Sequence, residues 1–394
     1  MKLYAIFIIF TLLISCAQSP GTDDAVDEMP FNENEFRNFV ATDTLSIELD
    51  SITAPEQYYT KLIEADSDIY YTFFNENAYA LQGYSLNTND LGFKINFKKK
   101  GPNALTNPYR FYFHNFDSIF FINCDAAVIQ IFDSTGTKFY DETISFKDTL
   151  REYAPTLDNF YEFTYNRETK TIGFWIHPLS PSYENHKYWE GSRSVNYSIK
   201  KQRVLNTFGQ FPKSYYYNNG IYEGFEYINS YAIPGYRVLY FHNSSEIQIY
   251  DHKGIIKRKL KVPEELDGDF GPPIMKVGQG RPSFERIQQH MTESNYCARM
   301  FSNPSGTLHY RVVKLPVSYY LPNNKTRNFH DRPFKIIILD ENFKVISYKE
   351  FKGNHYDFYQ SFAVNNKFYI SMNNPLNSFS DENRLLFQVF EVGK

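Results

Sequence analysis

One eight-residue phrase is written twice in this chain. Residues 129–136 read IQIFDSTG and residues 247–254 read IQIYDHKG. The match extends on both sides, with IFFINCDAAVIQIFDSTGTKFYDETISF (119–146) lying against VLYFHNSSEIQIYDHKGIIKRKLKV (238–262). Each copy reads as an apolar strand, a polar turn, a second strand ending in Asp, another turn and a third strand. In the second strand Ile129 and Ile131 point one way while Gln130 and Phe132 point the other, and Ile247/Ile249 against Gln248/Tyr250 repeats the pattern. Asp133 with Gly136, and Asp251 with Gly254, mark a type I turn: the carboxylate accepts backbone N–H groups and the glycine takes the positive φ that follows. The unit is an antiparallel meander.

Weaker copies recur along the chain. ALQGYSLNTNDLGFKINF (80–97) has Asn89 where the glycine would sit, which the left-handed tolerance of Asn allows. FKIIILDENFKVISYKEF (334–351) keeps Asp340 but loses the glycine, so its turn is expected to differ. Residues 160–178 with 195–208, and residues 367–392, supply two further units. Aromatics make up 18% of the chain, with 37 Phe and 33 Tyr, a usage that suits pleated surfaces packed against one another. Helical periodicity shows only at 282–291. Recurring meanders of short strands imply an all-β protein, a β-propeller of six blades. Seven or eight blades fit the length as well, and a pair of β-sandwiches is the alternative architecture. Insertions at 179–191 and 316–333 account for the length per blade. The last unit lacks an outer strand, which residues 44–49 (TLSIEL) would supply, closing the ring.

Residues 1–15 stand apart. Lys2 is the only charge before Cys16 and residues 3–14 are nearly all apolar, the length of a signal-peptide core rather than of a spanning helix. Leu13-Ile14-Ser15-Cys16 resembles the lipobox of bacterial lipoproteins, which makes Cys16 the acylated N-terminus of the mature protein. An ordinary cleaved signal that happens to hold a cysteine is the other reading. AQSPGTDDAVDE (17–28) is acidic and lacks aromatics, so the organisation reads as signal 1–15, flexible acidic tether 16–43 and propeller 44–394. The formal net charge of −4 argues against a nucleic-acid partner. Cys124 and Cys297 sit among apolar neighbours and are read as buried free thiols, and no CxxC pair suggests a zinc ribbon.

The lipoprotein signal, the acidic tether, the strand near residue 45, Gly101-Pro102-Asn103 after the first blade, FSNPSGTLHYRVV (301–313) and the C-terminal FYISMNN…LLFQVFEV together resemble the Bacteroidetes lipoprotein family of unknown function 4221. The resemblance covers most of the mature chain and implies a propeller in the cell envelope, held by lipid to the outer membrane on its surface or periplasmic face. It implies no chemistry.

No GxSxG, HExxH or Walker loop is present, and the nine histidines show no metal-ligand spacing. No cofactor, metal or catalytic residue is assigned. The connections between blades gather at one mouth of a propeller channel, and here Asn103, Arg281 and His355 add hydrogen-bonding capacity that a turn does not need. Arg299 and Arg311 flank the FSNPSGTLHYR segment and join them as ligand-binding candidates. Two functions remain open: a binding module for a glycan, peptide or envelope protein, and a glycan hydrolase or lyase working through the funnel.

Overall fold

The computed structural model describes residues 25–57, 59–108, 110–124, 126–144, 146, 153–155, 162–179, 185, 187–216 and 220–393. The signal peptide and Cys16 lie outside the described residues. Six four-stranded antiparallel sheets follow one another along the chain and form a six-bladed β-propeller. Blade one is Thr60–Ala65, Asp68–Asn75, Ala80–Ser85 and Leu91–Asn96. Blade two is Phe111–Asn115, Ser118–Asn123, Val128–Phe132 and Lys138–Thr143. Blade three is Thr164–Asn166, Thr171–Pro178, Ser194–Ser198 and Arg203–Phe208, with Tyr153–Pro155 added beside the far end of its second strand. Blade four is Ile228–Ile233, Tyr236–Phe241, Glu246–Asp251 and Ile256–Lys261. Blade five is Tyr296–Ser302, Leu308–Lys314, Phe334–Asp340 and Val345–Phe351. Blade six is Asp357–Val364, Lys367–Ser371, Arg384–Val392 and, from the other end of the chain, Phe39–Glu48.

The repeated phrase is the third strand of blades two and four, and it is buried on both faces because each blade is sandwiched between neighbours. Outer strands differ. KFYDET and IKRKLK alternate or expose charge, as a sheet edge meeting water requires. Aromatic rings join blade to blade. Phe97 sets its ring edge-on to Phe121 and Phe132 at 5.2 Å, and Phe368 meets Phe301 and Tyr310 at 5.6 and 4.9 Å. Such pairs contribute about 0.5–1.5 kcal/mol each beyond the area they bury.

The turns follow the expected chemistry with one correction. Asp133 Oδ1 accepts from the N–H groups of Thr135 and Thr137 at 2.9 and 3.0 Å, with Gly136 at φ 74°. Asp251 Oδ1 does the same with Lys253 and Ile255, both at 2.9 Å, with Gly254 at φ 77°. In blade one Ser85 Oγ takes the part of the carboxylate and Asn89 stands at φ 64°. Blade five was expected to turn differently for want of a glycine. It does not: Asp340 Oδ1 accepts from Asn342 and Lys344, and Phe343 itself enters the left-handed region at φ 64°. Its ring is buried flat against His309, centroids 4.2 Å apart and planes 9° apart, and that packing offsets the backbone cost.

The ring closes as the C-terminal deficit of strands implied. Phe39–Glu48 pairs antiparallel with Arg384–Val392 from Phe39↔Val392 to Glu48↔Arg384. The closing strand thus starts at Phe39, not at 44, with a register shift between Ala41 and Asp43. The preceding segment also departs from the flexible-tether reading. Asp27–Glu28 adds a parallel strand to the outer edge of blade four, and Met29 is buried between blades four and five. A 3-10 turn at Glu33–Glu35 follows, then the Glu35–Lys344 ion pair, Phe36 edge-on to Tyr348 at 5.6 Å, and Arg37 N–H on Ile346 O at 2.7 Å. Residues 25–38 are a strap across two outer strands because Met29, Phe31 and Phe36 have apolar places to go.

The 282–291 signal is the helix Phe284–Glu293, capped by Ser283 Oγ on Arg286 N–H at 3.3 Å. Cys124 and Cys297 are both buried, and no disulfide joins them to each other. Among the described residues no helix is long and apolar enough to cross a membrane.

Candidate functional site

Each blade's inner strand runs from the mouth reached by the inter-blade connections toward the mouth carrying the first hairpin turn. Inner-strand residues of blades one, four, five and six line a cavity of about 290 Å³. Its polar wall begins with Lys61 of blade one, whose Nζ lies 3.1 Å from Glu162 Oε1. Glu162 is positioned by blade four: its N–H donates to Ser230 O at 3.0 Å and its Oε2 accepts from Ala232 N–H at 2.7 Å. The pair therefore ties three blades together at the axis. Both partners remain partly solvated, so the ion pair contributes no more than about 1 kcal/mol to stability. It is a fixed dipole at the cavity wall.

Arg299 supplies the facing wall. Its Nη1 donates to the carbonyls of Phe358, Tyr359 and Ser361 in blade six, and its guanidinium lies over the Phe301 ring at 4.7 Å. Burial lowers its pKa from the ordinary arginine value. Tyr71 and Phe362 are tilted rings 5.1 Å apart at the same cavity, and Tyr71 OH reaches Gln360 O at 3.3 Å. Asn303, also in the lining, is occupied by the hairpin it stabilises: Oδ1 accepts from Thr307 and Leu308, and Nδ2 donates to Asn365 O at 2.7 Å. The cavity thus combines a cation–carboxylate pair, a held arginine and aromatic faces. Of its two carboxylates, Glu162 is committed to Lys61 and the Ala232 N–H, and Glu64 is solvent-exposed. No histidine or cysteine lines it. Among the described residues no cluster of three or more His, Cys, Asp or Glu could hold a metal ion.

The candidates read from sequence separate into three places. Arg299 lines the cavity. Asn103, Arg281 and His355 lie in the connections that follow blades one, four and five, at the opposite mouth. Asn103 is half-buried beside Gly101, whose φ of 92° shapes the turn. Arg281 Nε pairs with buried Glu223 Oε1 at 3.0 Å while most of its side chain stays in water. His355 is half-buried with its ring edge-on to Tyr356 at 4.4 Å. Arg311 reaches neither mouth. It is wholly buried and grips Asp267 through two bonds of 2.7 Å, with Ser244 O at 2.9 Å. Burial opposes its charge, and Asp267 with Cys297 outweighs that and holds the guanidinium pKa above its ordinary value.

A buried cationic cluster near the connection-side mouth went unread. Lys314, at the end of the second strand of blade five, carries its ammonium over the rings of Phe358, Phe329 and Phe334 at 4.8, 5.0 and 5.6 Å. Burial, helped by Arg332 and opposed by Asp357, lowers its pKa to about 7. Arg332 donates to the carbonyls of Met291, Ser294 and Leu315. The sequence signal was the 316–333 insertion itself, which brings Phe329 and Arg332 onto the blade but was read only as extra length.

The profile of the domain of unknown function DUF4221 matches residues 37–350. A member of that family from Bacteroides vulgatus superposes with a TM-score of 0.75 at 18% identity, over 91% of this chain and 99% of its own. A Bacteroides fragilis protein described as exported gives a TM-score of 0.52 at 10% identity, over 93% and 98%. At such identities these likenesses concern the fold alone. No curated protein matches the chain. The profile spans most of the propeller, strap end to fifth blade, and the chain belongs to the DUF4221 family.

Proposed function

We propose that this protein is a lipid-anchored envelope protein whose propeller is a binding module for a glycan, a peptide or a partner protein. The observation that carries the reading is the axial cavity, where Lys61, Glu162 and Arg299 meet the aromatic faces of Tyr71, Phe301 and Phe362. Its 290 Å³ is at the small end of ligand sites, which run from about 300 to 1,000 Å³. That suits one sugar unit or one peptide side chain, with apolar rings to stack on and charged groups to fix orientation. A glycan hydrolase uses a pair of carboxylates, and of the two at this cavity Glu162 is already neutralised by Lys61, which leaves Glu64 to act alone. Binding is the better-supported reading. The rim at the other mouth, with Asn103, Arg281 and His355, is proposed as the contact for the remainder of a larger ligand.

The test is a pull-down on defined bacterial polysaccharides and envelope-protein extracts with three proteins. They are the wild type, Lys61→Ala, and the triple variant Asn103→Ala/Arg281→Ala/His355→Ala. Loss of binding in Lys61→Ala with an unchanged melting curve supports the cavity, and loss in the triple variant supports the rim. Retention in both would overturn the binding reading. The anchor rests on the sequence around Cys16. Cys16→Ala should move the protein from the membrane to the soluble envelope fraction and abolish labelling by a palmitate analogue.

A further inference from the structure

A charge of either sign keeps an exposed sheet edge from pairing with another chain. In this propeller, whose chain has a formal net charge of −4, the signs are unevenly shared among the six edges. The outer strand of blade four and the turn before it, residues 251–261, read DHKGIIKRKLK: Lys253, Lys257, Arg258, Lys259 and Lys261 stand against Asp251 alone. The matching stretch of blade three, 199–208, holds Lys200, Lys201 and Arg203 and no acid. The corresponding stretches of blades two, five and six, 133–143, 340–351 and 39–48, each hold more acidic than basic residues. Edge protection accounts for charge at every edge. It does not account for one sign gathered on two neighbours.

The two basic edges form one surface. Asn206 Nδ2 of blade three donates to Lys253 O at 2.7 Å, and Asn196 Nδ2 donates to His252 O at 3.2 Å. Lys257 pairs with Asp251 at 2.9 Å, while Arg258 Nη1 donates to a neutral acceptor, Asn342 O, at 3.2 Å. Two apolar side chains stand out among these cations, Ile255 at 53% exposure and Leu205 at 43%. Cations grouped around exposed apolar side chains suit an anionic bilayer, which attracts the charge and takes up the hydrocarbon. The strap leads to the same flank. Asp27–Glu28 runs parallel to the outer strand of blade four, opposite Leu260 and Lys261, and Val26 lines a cavity with Ile256 and Lys259. Ala25 follows Cys16 by nine residues, which reach at most about 30–32 Å when fully extended. An acyl group on Cys16 would hold this point of blade four within that distance of the headgroups.

We propose that the flank of blades three and four, with Lys253, Lys257 and Arg258 around Ile255, docks on the anionic phospholipid headgroups of the membrane that holds the lipid anchor. The docked propeller lies with blade four toward the bilayer and its axis along the membrane plane, so both mouths of the channel open to the side. This orientation rests on the anchor proposed at Cys16. The affinity of the flank for headgroups does not.

The flank is tested first without lipid, on the chain from residue 17 onward. Its cosedimentation with vesicles of phosphatidylethanolamine and about 30% phosphatidylglycerol is compared with that on phosphatidylcholine vesicles. Binding to the anionic vesicles alone is expected, with release in about 1 M sodium chloride, where the screening length is about 3 Å. Lys253→Gln/Lys257→Gln/Arg258→Gln should weaken binding about a hundredfold, at about fivefold per charge. Lys98→Gln/Lys99→Gln/Lys100→Gln, which removes as much charge beside blade one, should change it less than about twofold. Orientation is then read on the lipidated protein in anionic vesicles, by quenching of a fluorophore with brominated lipid. A probe at Ile255→Cys should be quenched, and one at Leu91→Cys, on the outer strand of blade one across the axis, should not. Equal binding to both vesicle types, an equal loss in both triple variants, or equal quenching at the two positions overturns the proposal. If Cys16 takes no palmitate label while the chain from residue 17 still binds anionic vesicles, the anchor fails and the flank stands. A labelled Cys16 with no vesicle binding by that chain means the reverse.

Discussion

Replacing Phe343 by glycine would give blade five the turn residue that blades two and four use, and by sequence pattern alone it should stabilise. The structure argues the reverse. A non-glycine residue in the left-handed region costs about 1–2 kcal/mol, which Phe343→Gly would recover. Against this stand the loss of a buried ring, about 3–5 kcal/mol, and the extra freedom of glycine in the unfolded chain, about 0.5–1 kcal/mol. Phe343 is 3% exposed, stacked on His309, and part of the core shared by blades four and five, so the burial loss should be felt in full. The net is a destabilisation of about 2–4 kcal/mol. With an unfolding entropy of roughly 2.1 cal/mol/K per residue over about 350 residues, the melting temperature should fall by about 3–5 °C. Differential scanning calorimetry and urea titration read both quantities. Phe343→Asn separates the two contributions, since Asn tolerates the backbone but brings no ring; it should be as damaging as glycine. A Phe343→Gly protein that melts at or above the wild-type temperature would refute the reasoning.

Three further outcomes follow from buried groups and from the strap. Asp267→Asn leaves the Arg311 charge buried without its counter-ion and should cost about 3–5 kcal/mol in urea, whereas Asp267→Leu with Arg311→Met should recover most of that; a cost below about 1 kcal/mol for the single change would contradict the assignment. Burial holds His242 and His309 at about 4, well below the ordinary histidine value, so the unfolded chain takes up protons that the fold refuses. Their contribution is therefore complete above pH 6.5 and is lost as pH falls toward 4, by about 2–3 kcal/mol each at pH 4.5. His242→Gln should flatten that slope, and an unchanged slope counts against it. Deleting residues 17–38 should lower stability by about 2–4 kcal/mol through loss of Met29 and Phe36 packing. Deleting 17–48 uncovers the edge of Arg384–Val392 and should give aggregation, so identical behaviour of the two truncations would exclude the closure scheme.

Much of the architecture was legible because a propeller repeats its local chemistry. Asp133 and Asp251 announced their turns, and the unpaired last blade announced the strand that closes it. Phe343 was not legible, since the turn there is held by a contact with His309, a residue from another strand. The strap was missed because the acidic stretch dominated the reading and the apolar residues Met29, Phe31 and Phe36 have meaning only beside the edges they cover. The axial cavity could not be read at all. Lys61, Glu162 and Arg299 are far apart in sequence, and each meets its neighbours only when the inner strands of different blades converge. Arg311 shows the converse failure: beside a family-like segment it resembled a surface ligand group, and its partner Asp267 lies in a connection with no pattern of its own.

The strap also sets how the molecule responds to force. Tension applied at residue 25 bears first on the two-residue pairing of Asp27–Glu28 with blade four, which would unzip a bond at a time. The load then passes to buried Met29, to the Glu35–Lys344 pair and to the Arg37–Ile346 bond, each on blade five or at its border. Only after these have yielded does it fall on the closing strand, whose long register with Arg384–Val392 must be broken before the ring can open. These four fastenings can give way while all six blades stay assembled. A tug at residue 25 would therefore release the span of residues 25–38 and leave the propeller intact, a mechanical fuse placed ahead of the one seam that holds the circle shut.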